Sequence, residues 1–305
     1  RLTTVSEKLE WFVFDPHFRD GCDDVGLITD RGGHVDLWNN SFLVFRPDAI
    51  VTRGVWRAID VLLENGFSVL KTYQFQYSHL TVRECWRYQN NVNTRDRIAL
   101  MDLLMTSTPS RLCLLRAGEG DGDLPASARL KLLKGPSVPE RRKPGQIRYE
   151  MGGVQAPMFS LVHAPDEPAD LLRELAIFLD PARRRQAYGL LAQAPSPMTR
   201  QDLQSAVAEI YQGAPAHDLG LASVLGALRQ RGRAPPQLLA DIERRVPLAL
   251  EETLQQLRLD PDFGPLDAVV IAAQIGEGHI AGKAPVLPDA KPLDWKRVLE
   301  AKSTK

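Results

Sequence analysis

The stretch Phe42-Leu43-Val44-Phe45-Arg46-Pro47-Asp48 decides the fold. Its first four residues form an apolar run typical of a buried strand, and the proline and aspartate that follow end the strand. After Thr52-Arg53-Gly54, apolar residues recur on one face at the period of a helix, and Asn65-Gly66 ends that helix with residues that tolerate the left-handed conformation. A buried strand followed directly by an amphipathic helix predicts a domain in which strands and helices alternate.

The alternation continues to about residue 180. The further elements predicted on this stretch are a strand at 67–75, mostly helix at 80–105, a strand at 112–115 and a helix at 171–179. Lys71 falls on the apolar side of the second strand and breaks its pattern. This order of elements, completed by a late strand before the last helix, is typical of a ferredoxin-like fold. The sequence therefore predicts an α+β domain over residues 41–180, in which helices cover an antiparallel sheet.

Residues 1–40 are predicted to be a β-rich extension. Two short apolar runs, Trp11–Phe14 and Val25–Ile28, are typical of strands, and the turn residues Asp30–Gly33 predict a hairpin before the alternating residues 34–37. The piece is too short to hold a core alone, so we expect it to pack against the α+β domain.

Residues 181–305 differ in composition, because Ala, Leu, Gln, Arg and Pro dominate and the strand signals fade. The helices predicted here begin near Thr199 and continue at 218–231, at 236–258 with an interruption at Pro247, and at 264–275. Residues 276–305 are rich in proline and lysine and predict little ordered structure outside Trp295–Leu299. We expect a mainly helical domain with a Pro- and Lys-rich tail.

The composition excludes several classes of protein. Among 305 residues, 38 basic residues balance 38 acidic ones, which gives no electrostatic reason to expect nucleic acid or an anionic membrane as a partner. The first residues are polar and no apolar run approaches about 18 residues, so we expect neither a signal peptide nor a transmembrane span. Cys22, Cys85 and Cys113 are widely spaced and odd in number, which argues against a disulfide framework or a metal cluster. We expect a soluble protein of the reducing cytoplasm.

Residues that could carry chemistry lie between Ala126 and Leu179. Lys143–Arg148 is a basic, turn-forming loop, and His163 follows it at the end of an apolar strand segment. Glu174 lies eleven residues beyond the histidine. A histidine in such a place is more often structural than catalytic, so these residues alone leave both roles open.

The order of the motifs resembles the nucleoside diphosphate kinase family over about 140 residues. The motifs that carry the resemblance are Phe42–Asp48, Arg53-Gly54, Asn65-Gly66-Phe67, Ser107-Thr108-Pro109, Gly135–Pro139, Lys143–Arg148 and His163–Asp166. The resemblance implies that the γ-phosphoryl group of a nucleoside triphosphate moves through a phosphohistidine to a diphosphate acceptor. It also implies that ATP or another nucleoside triphosphate binds together with Mg²⁺, which the nucleotide's phosphates carry, so that no residue is expected to be a dedicated metal ligand.

The resemblance also assigns residues to roles. His163 matches the family's nucleophile and Glu174 the acid that orients it. A neutral imidazole is a good nucleophile near pH 7, and a carboxylate on its other ring nitrogen fixes the tautomer. The residues implied to hold the nucleotide's phosphates are Arg46, Arg148, Ser137, Ser160 and Lys131, with Arg129 as a substitute for Lys131.

Several positions depart from the family's pattern. Arg46 stands where the family has lysine, and a forked guanidinium is not equivalent to an ammonium at a tight phosphate site. Ser160 stands where the family usually has asparagine. Residues 90–101 replace a segment that normally offers an aromatic clamp for the nucleobase. Residues 116–125 form a longer insertion with acidic positions at Glu119, Asp121 and Asp123, which we expect near the site.

Two other functions therefore stay open. The protein could use the nucleotide site to transfer a phosphoryl or nucleotidyl group to a specialised acceptor. Alternatively, the fold could be a non-catalytic scaffold whose helical region 181–275 binds a protein partner. Family members are typically hexamers or tetramers, and the added segments leave it open whether this chain forms a homo-oligomer.

Overall fold

A four-stranded antiparallel sheet lies at the centre of the computed structural model, which describes residues 1–118, 124–152, 158–193 and 195–303. Its strands are β1 (Asn40–Phe45), β2 (Phe67–Phe75), β3 (Ser110–Ala117) and β4 (Val162–His163). Their order across the sheet is β2-β3-β1-β4, and each neighbouring pair is antiparallel. The ferredoxin-like α+β prediction is confirmed. In this order β4 lies beside β1, with His163 opposite Val44.

Lys71 breaks the alternation of β2 because the strand contains a bulge. The register between β2 and β3 shifts between Val69 and Lys71, and the consecutive residues Val69 and Leu70 are both buried. A bulge inserts one extra residue and turns the following side chains to the opposite face. Lys71 is exposed for that reason, and Tyr73 is buried again.

The N-terminal segment is helical, so the prediction of a β-rich extension with a hairpin over residues 1–40 is wrong. It forms α1 (Ser6–Phe12) and α2 (Pro16–Thr29), and residues 33–37 form no strand. The Asp15 carboxylate accepts hydrogen bonds from the first backbone N–H groups of α2, and Pro16 occupies its first position. Aspartate followed by proline is a helix-start signal that outweighs two short apolar runs.

The helices around the sheet include those predicted at 55–64, 80–105 and 171–179, together with three that were not predicted, at 47–51, 126–134 and 147–150. They are α3 (Pro47–Val51), α4 (Val55–Glu64), α5 (His79–Cys85), α6 (Arg95–Met105), α7 (Ala126–Lys134), α8 (Ile147–Glu150) and α9 (Pro168–Phe178). Gly66 follows α4 at φ 75°, the left-handed conformation expected for that helix end. Nearly every residue of α9 is buried, so this helix holds its side chains firmly against the sheet.

The C-terminal third is helical, as predicted. Its helices are α10 (Pro181–Gln193), α11 (Arg200–Gln212), α12 (Leu221–Arg231), α13 (Pro236–Glu243), α14 (Leu250–Leu257), α15 (Pro265–Ile275) and α16 (Pro292–Ser303). Thr199 and Asp202 form the reciprocal hydrogen bonds of a capping box at the start of α11. One apolar core runs from the sheet into these helices.

Residues 276–291 differ from the little-ordered tail expected from their composition. Their backbone hydrogen-bonds to residues 88–94, and α16 continues beyond the predicted 295–299 in both directions. In the described ranges, no helix is both long and apolar enough to cross a membrane. The acidic positions Glu119, Asp121 and Asp123 lie outside the described residues.

Candidate active site

His163 is held at the end of β4 by its neighbours on the sheet and on α9. Its ring packs against those of Phe42, Trp86 and Phe178, and 15% of its side chain is exposed. The carboxylate of Glu174 lies 2.8 Å from Nε2 of the histidine. In a neutral imidazole, this contact places the proton on Nε2 and leaves the lone pair on Nδ1. The pair predicted from the sequence is therefore brought together in the geometry that orients a nucleophile.

Backbone strain lies two residues before the histidine. Leu161 is buried at φ 60°, a conformation that is costly for a branched side chain. The Asp48 carboxylate accepts a hydrogen bond of 2.8 Å from the Leu161 N–H, and the Leu161 carbonyl accepts one of 3.1 Å from the Arg46 N–H. These bonds tie the Arg46-Pro47-Asp48 turn to the approach of β4, and strained residues of this kind cluster at functional sites.

A third side chain, Cys85, lies beside the pair. Its sulfur is 3.9 Å from Nε2 of His163, and burial raises the pKa of its thiol well above the ordinary value. The thiol, imidazole and carboxylate ligand atoms lie within 4.8 Å of one another, close enough to hold a metal ion. The set does not suit Mg²⁺, which prefers oxygen ligands. Nε2 and the carboxylate already satisfy each other.

A cavity of about 750 Å³ opens beside His163. This is the size of a pocket that takes a small-molecule ligand. The predicted site residues that line it are His163, Glu174, Arg46, Lys131, Ser137, Arg148 and Ser160. Arg129 lies elsewhere, because its guanidinium donates to the Gly118 carbonyl and covers the Phe67 ring.

Arginine side chains surround residues 158–160 at one end of the cavity. The Met158 carbonyl accepts a hydrogen bond from Arg46, and the Arg97 guanidinium contacts the Met158 sulfur. Burial, followed by the charge of Arg46, lowers the pKa of Arg97 to about 10. Within the described ranges, neither Arg97 nor Arg142 nor Arg148 forms an ion pair with a carboxylate. Arg46 is paired with Asp48 at 3.2 Å, so the excess of positive charge around residues 158–160 comes from the other three arginines.

Arg148 uses its charge differently from Arg97. Its guanidinium donates to the backbone carbonyls of Gly135, Ser160 and Val162 at 2.7, 2.7 and 2.8 Å. Burial, followed by the charges of nearby arginines, lowers the pKa of Arg148 to about 9. Arg148 thus fastens the loop after α7 to the segment that leads into β4.

Lys131 also lines the cavity and is already paired. Its ammonium donates to the Asp166 carboxylate and to the Ala290 carbonyl, each at 2.7 Å, and lies 3.7 Å from the Asp289 carboxylate. Burial alone would raise the pKa of Asp166, but the charges of Lys134 and Lys131 lower it to about 2. The charge of Lys131 is therefore balanced by the protein itself.

The part of the chain that contains the sheet and His163 is similar to a known protein family. A protein-family model of nucleoside diphosphate kinase matches residues 39–183. Residues 39–183 resemble nucleoside diphosphate kinases. The match contains all four strands, α9 and the pair of His163 and Glu174, and it confirms the resemblance inferred from the motifs.

Solved structures of nucleoside diphosphate kinases are similar to part of this chain. The enzyme of Aquifex aeolicus is 19% identical, the match covers 47% of this chain and 95% of that chain, and its TM-score is 0.39. The enzyme of Encephalitozoon cuniculi, without ligand, is 16% identical, with 55% and 98% covered and a TM-score of 0.40. No curated protein matches the chain.

Two cavity features outside the kinase motifs were missed from the sequence. Arg97 was noted only as part of a segment without an aromatic clamp, and residues 277–292 were expected to have little ordered structure. One signal for Arg97 exists: it lies in the first turn of α6, where the helix dipole disfavours a positive charge.

Proposed function

We propose that this chain is a phosphotransferase of the nucleoside diphosphate kinase type, which moves a γ-phosphoryl group through a phosphohistidine on His163. One observation carries the proposal. The contact with Glu174 leaves Nδ1 of His163 as the nucleophilic nitrogen, and this ring lines a cavity in which Arg97 and Arg148 form no ion pair with a carboxylate of the described residues, while Arg46 is paired with Asp48. A nucleophile beside excess positive charge suits a phosphate ester.

Catalysis would proceed in two transfers. The Nδ1 lone pair attacks the γ-phosphorus, the N–P bond forms, and the bond from phosphorus to the bridging oxygen breaks, so that nucleoside diphosphate leaves with the bonding electrons. An oxygen of the acceptor diphosphate then attacks the same phosphorus, and the N–P bond breaks to restore the imidazole. Throughout, the carboxylate of Glu174 stabilises the positive charge that develops on the ring.

The charged side chains would hold the phosphates during transfer. Among the residues expected from the sequence, Arg46, Ser137 and Ser160 line the cavity and are proposed to contact them, while Arg148 is proposed to add charge from its fixed position. We assign the further cation to Arg97 rather than to Lys131 or Arg129, because Lys131 is bound by Asp166 and Arg129 lies outside the cavity. Mg²⁺ would arrive on the nucleotide and neutralise its phosphate oxygens.

The test is transfer of label from γ-labelled ATP, with Mg²⁺, to the full chain and to a His163→Ala variant. We expect label on the wild-type protein only, lost in acid and retained in base, as for a phosphohistidine. Glu174→Gln, which keeps a hydrogen-bonding group, should lower the labelling rate by about 10-fold to 100-fold. Label that survives in the His163→Ala variant, or absence of label on wild-type protein that binds ATP, would contradict the proposal.

A specialised acceptor is the second candidate. It is favoured by the outer wall of the cavity, which residues beyond the kinase match supply. Labelled enzyme incubated with nucleoside diphosphates and with other phosphate acceptors distinguishes the two cases, because the acceptor is the compound that removes the label. A scaffold without catalysis predicts no label and no nucleotide binding.

We also propose a location for the protein and roles for the segments outside the kinase-like domain. Three free cysteines suit a reducing compartment such as the cytoplasm. We propose residues 1–40 and 181–305 as additions to the kinase-like domain at 41–180, with the helices after residue 181 available to a protein partner or a second copy.

A further inference from the structure

The outer wall of the cavity belongs to residues 277–292, here called the C-terminal segment. The residues it contributes to the lining are His279, Pro285, Leu287, Pro288, Asp289, Ala290 and Pro292. All of them lie beyond residue 183, where the match to the kinase family ends. The cavity therefore has one wall from the kinase-like domain and one from an added part of the chain.

Hydrogen bonds hold the C-terminal segment against residues 88–94. The backbone N–H of Ile280 donates to the Val92 carbonyl at 2.8 Å, and that of Val286 donates to the Tyr88 carbonyl at 3.0 Å. In the opposite direction, the Thr94 N–H donates to the Gly278 carbonyl at 3.2 Å. His279 also forms a bridge with Asn93. These bonds hold the C-terminal segment in a fixed position beside residues 88–94.

The far end of the segment is anchored as well. Trp295 of α16 is buried and meets Trp38 edge to face, with ring centroids 5.4 Å apart. Leu124 and Ala128 complete this small apolar cluster. A segment tied at both ends, with Pro285 and Pro288 between the ties, is a formed wall rather than a loose tail.

The residues that the C-terminal segment contributes to the cavity are more apolar than the arginines around residues 158–160. Leu287 and the two prolines present apolar surface, and His279 adds a polar ring. The cavity is also lined by the apolar residues Val92, Met101 and Leu132. This combination of apolar surfaces and a few polar groups suits a flat heterocycle. Burial, followed by the charge of Arg97, lowers the pKa of His279, so this part of the wall lies close to the arginines.

The aromatic rings of the inner wall are already engaged. The Tyr88 ring packs on Phe12 at 5.7 Å, and its hydroxyl donates to Asp15. Trp86 packs edge to face against His163 at 5.5 Å. Both rings also line the cavity, so the C-terminal segment adds to the surface that they offer to a ligand.

We propose that the C-terminal segment binds the nucleoside part of the nucleotide, with His279 and Leu287 as its contact residues. This rests on the proposed function, because it takes the phosphate end of the ligand to be at His163. Lys131 donates to the Ala290 carbonyl of this segment and its charge is balanced by Asp166, so it adds no free cation at this wall.

The experiment compares binding of ATP with binding of inorganic tripolyphosphate, both with Mg²⁺, to the full chain. We expect His279→Ala and Leu287→Ala each to weaken ATP binding by about tenfold, the effect of losing about 1.4 kcal/mol of contact, and to leave tripolyphosphate binding unchanged. Lys283→Ala is the matched control, since Lys283 is an exposed residue of the same segment outside the cavity lining.

The outcomes separate this inference from the proposed function. If both variants bind ATP as the wild type does, or lose ATP and tripolyphosphate equally, the C-terminal segment does not bind the nucleoside, while labelling of His163 can still succeed. If the wild-type protein binds neither compound, the proposed function fails as well. Because the His279 side chain is exposed, His279→Ala keeps the test valid even if Leu287→Ala perturbs folding.

Discussion

Two groups of basic side chains line the cavity, lysines near Asp166 and arginines near residues 158–160, and their charge is balanced differently. Lys131 and Lys134 share the carboxylate of Asp166, and Lys8 is paired with Glu167 and Asp170. Around residues 158–160, Arg46 is paired with Asp48, whereas Arg97 and Arg148 form no ion pair with a carboxylate of the described residues. Burial, followed by the charge of Arg46, lowers the pKa values of Arg97 and Arg148. A bound anion would stabilise the unpaired arginines, whereas the lysines already have carboxylate partners. Counting charges along a chain cannot distinguish these arrangements, whereas their carboxylate partners can.

The largest effect expected at the arginine-lined end is structural. Arg148→Ala leaves the carbonyls of Gly135, Ser160 and Val162 without their donor in a buried place. We expect the free energy of unfolding to fall by about 3–5 kcal/mol, measured by urea denaturation. Arg141→Ala, on an exposed neighbouring loop position, should change it by less than about 0.5 kcal/mol. Equal stability of the two variants would show that Arg148 is not a fastening residue.

Arg97 should behave in the opposite way to Arg148. Arg97→Met removes an unpaired cation beside the site, so we expect the rate of His163 labelling to fall by about 100-fold. The same change removes a buried Nε that has no hydrogen-bond partner and a repulsion with Arg46, so stability should stay equal or rise by about 1 kcal/mol.

Arg95→Met is the control for Arg97, because Arg95 is exposed in the same helical turn. It should alter neither labelling nor stability. A loss of stability in the Arg97→Met variant, with labelling preserved, would place Arg97 in the framework and leave the arginine-lined end without a free cation.

The fold follows from the sequence wherever local signals agree. The apolar run at β1, the helix ending at Asn65-Gly66 and the capping box at Thr199 each predict an element that the structure contains. The N-terminal extension was missed because its runs of four apolar residues fit a strand as well as a helix turn. There the Asp15-Pro16 helix start was the deciding signal.

The site was only partly accessible to the same reasoning. The spacing of His163 and Glu174 follows from one strand and one helix that are close in sequence, and these residues meet as expected. The placement of Arg97, more than 60 residues before the histidine, depends on how α6 packs. The C-terminal segment is more distant still. Site residues that lie far from His163 in the sequence can be identified only once the packing of their helices and segments is known.

The stability of the protein should depend on pH through Asp170, which is paired with Lys8 beside the cavity. Burial raises the pKa of Asp170 to about 6, although the charge of Lys8 opposes this rise. A carboxyl group with a higher pKa in the folded protein binds more protons there than in the unfolded chain, so stability should fall as pH rises from about 4 to about 6. Asp170→Asn should remove this fall in thermal denaturation, while Asp23→Asn on an exposed position should retain it. A pH profile unchanged by Asp170→Asn would exclude Asp170 as the source.

The smallest effect is expected for Lys131, and it tests the comparison most directly. The ammonium is held by Asp166 and by the Ala290 carbonyl, so little of its field is left for a ligand. Lys131→Met should therefore change the rate of His163 labelling by less than about threefold, far below the effect of one unpaired cation. Lys134 lies 3.6 Å from Asp166 and still faces that carboxylate in the variant, which limits the cost in stability. A loss of about 100-fold would mean that Lys131 leaves Asp166 when nucleotide binds. In that case, an ion pair in the free protein would not predict which cations bind the phosphates.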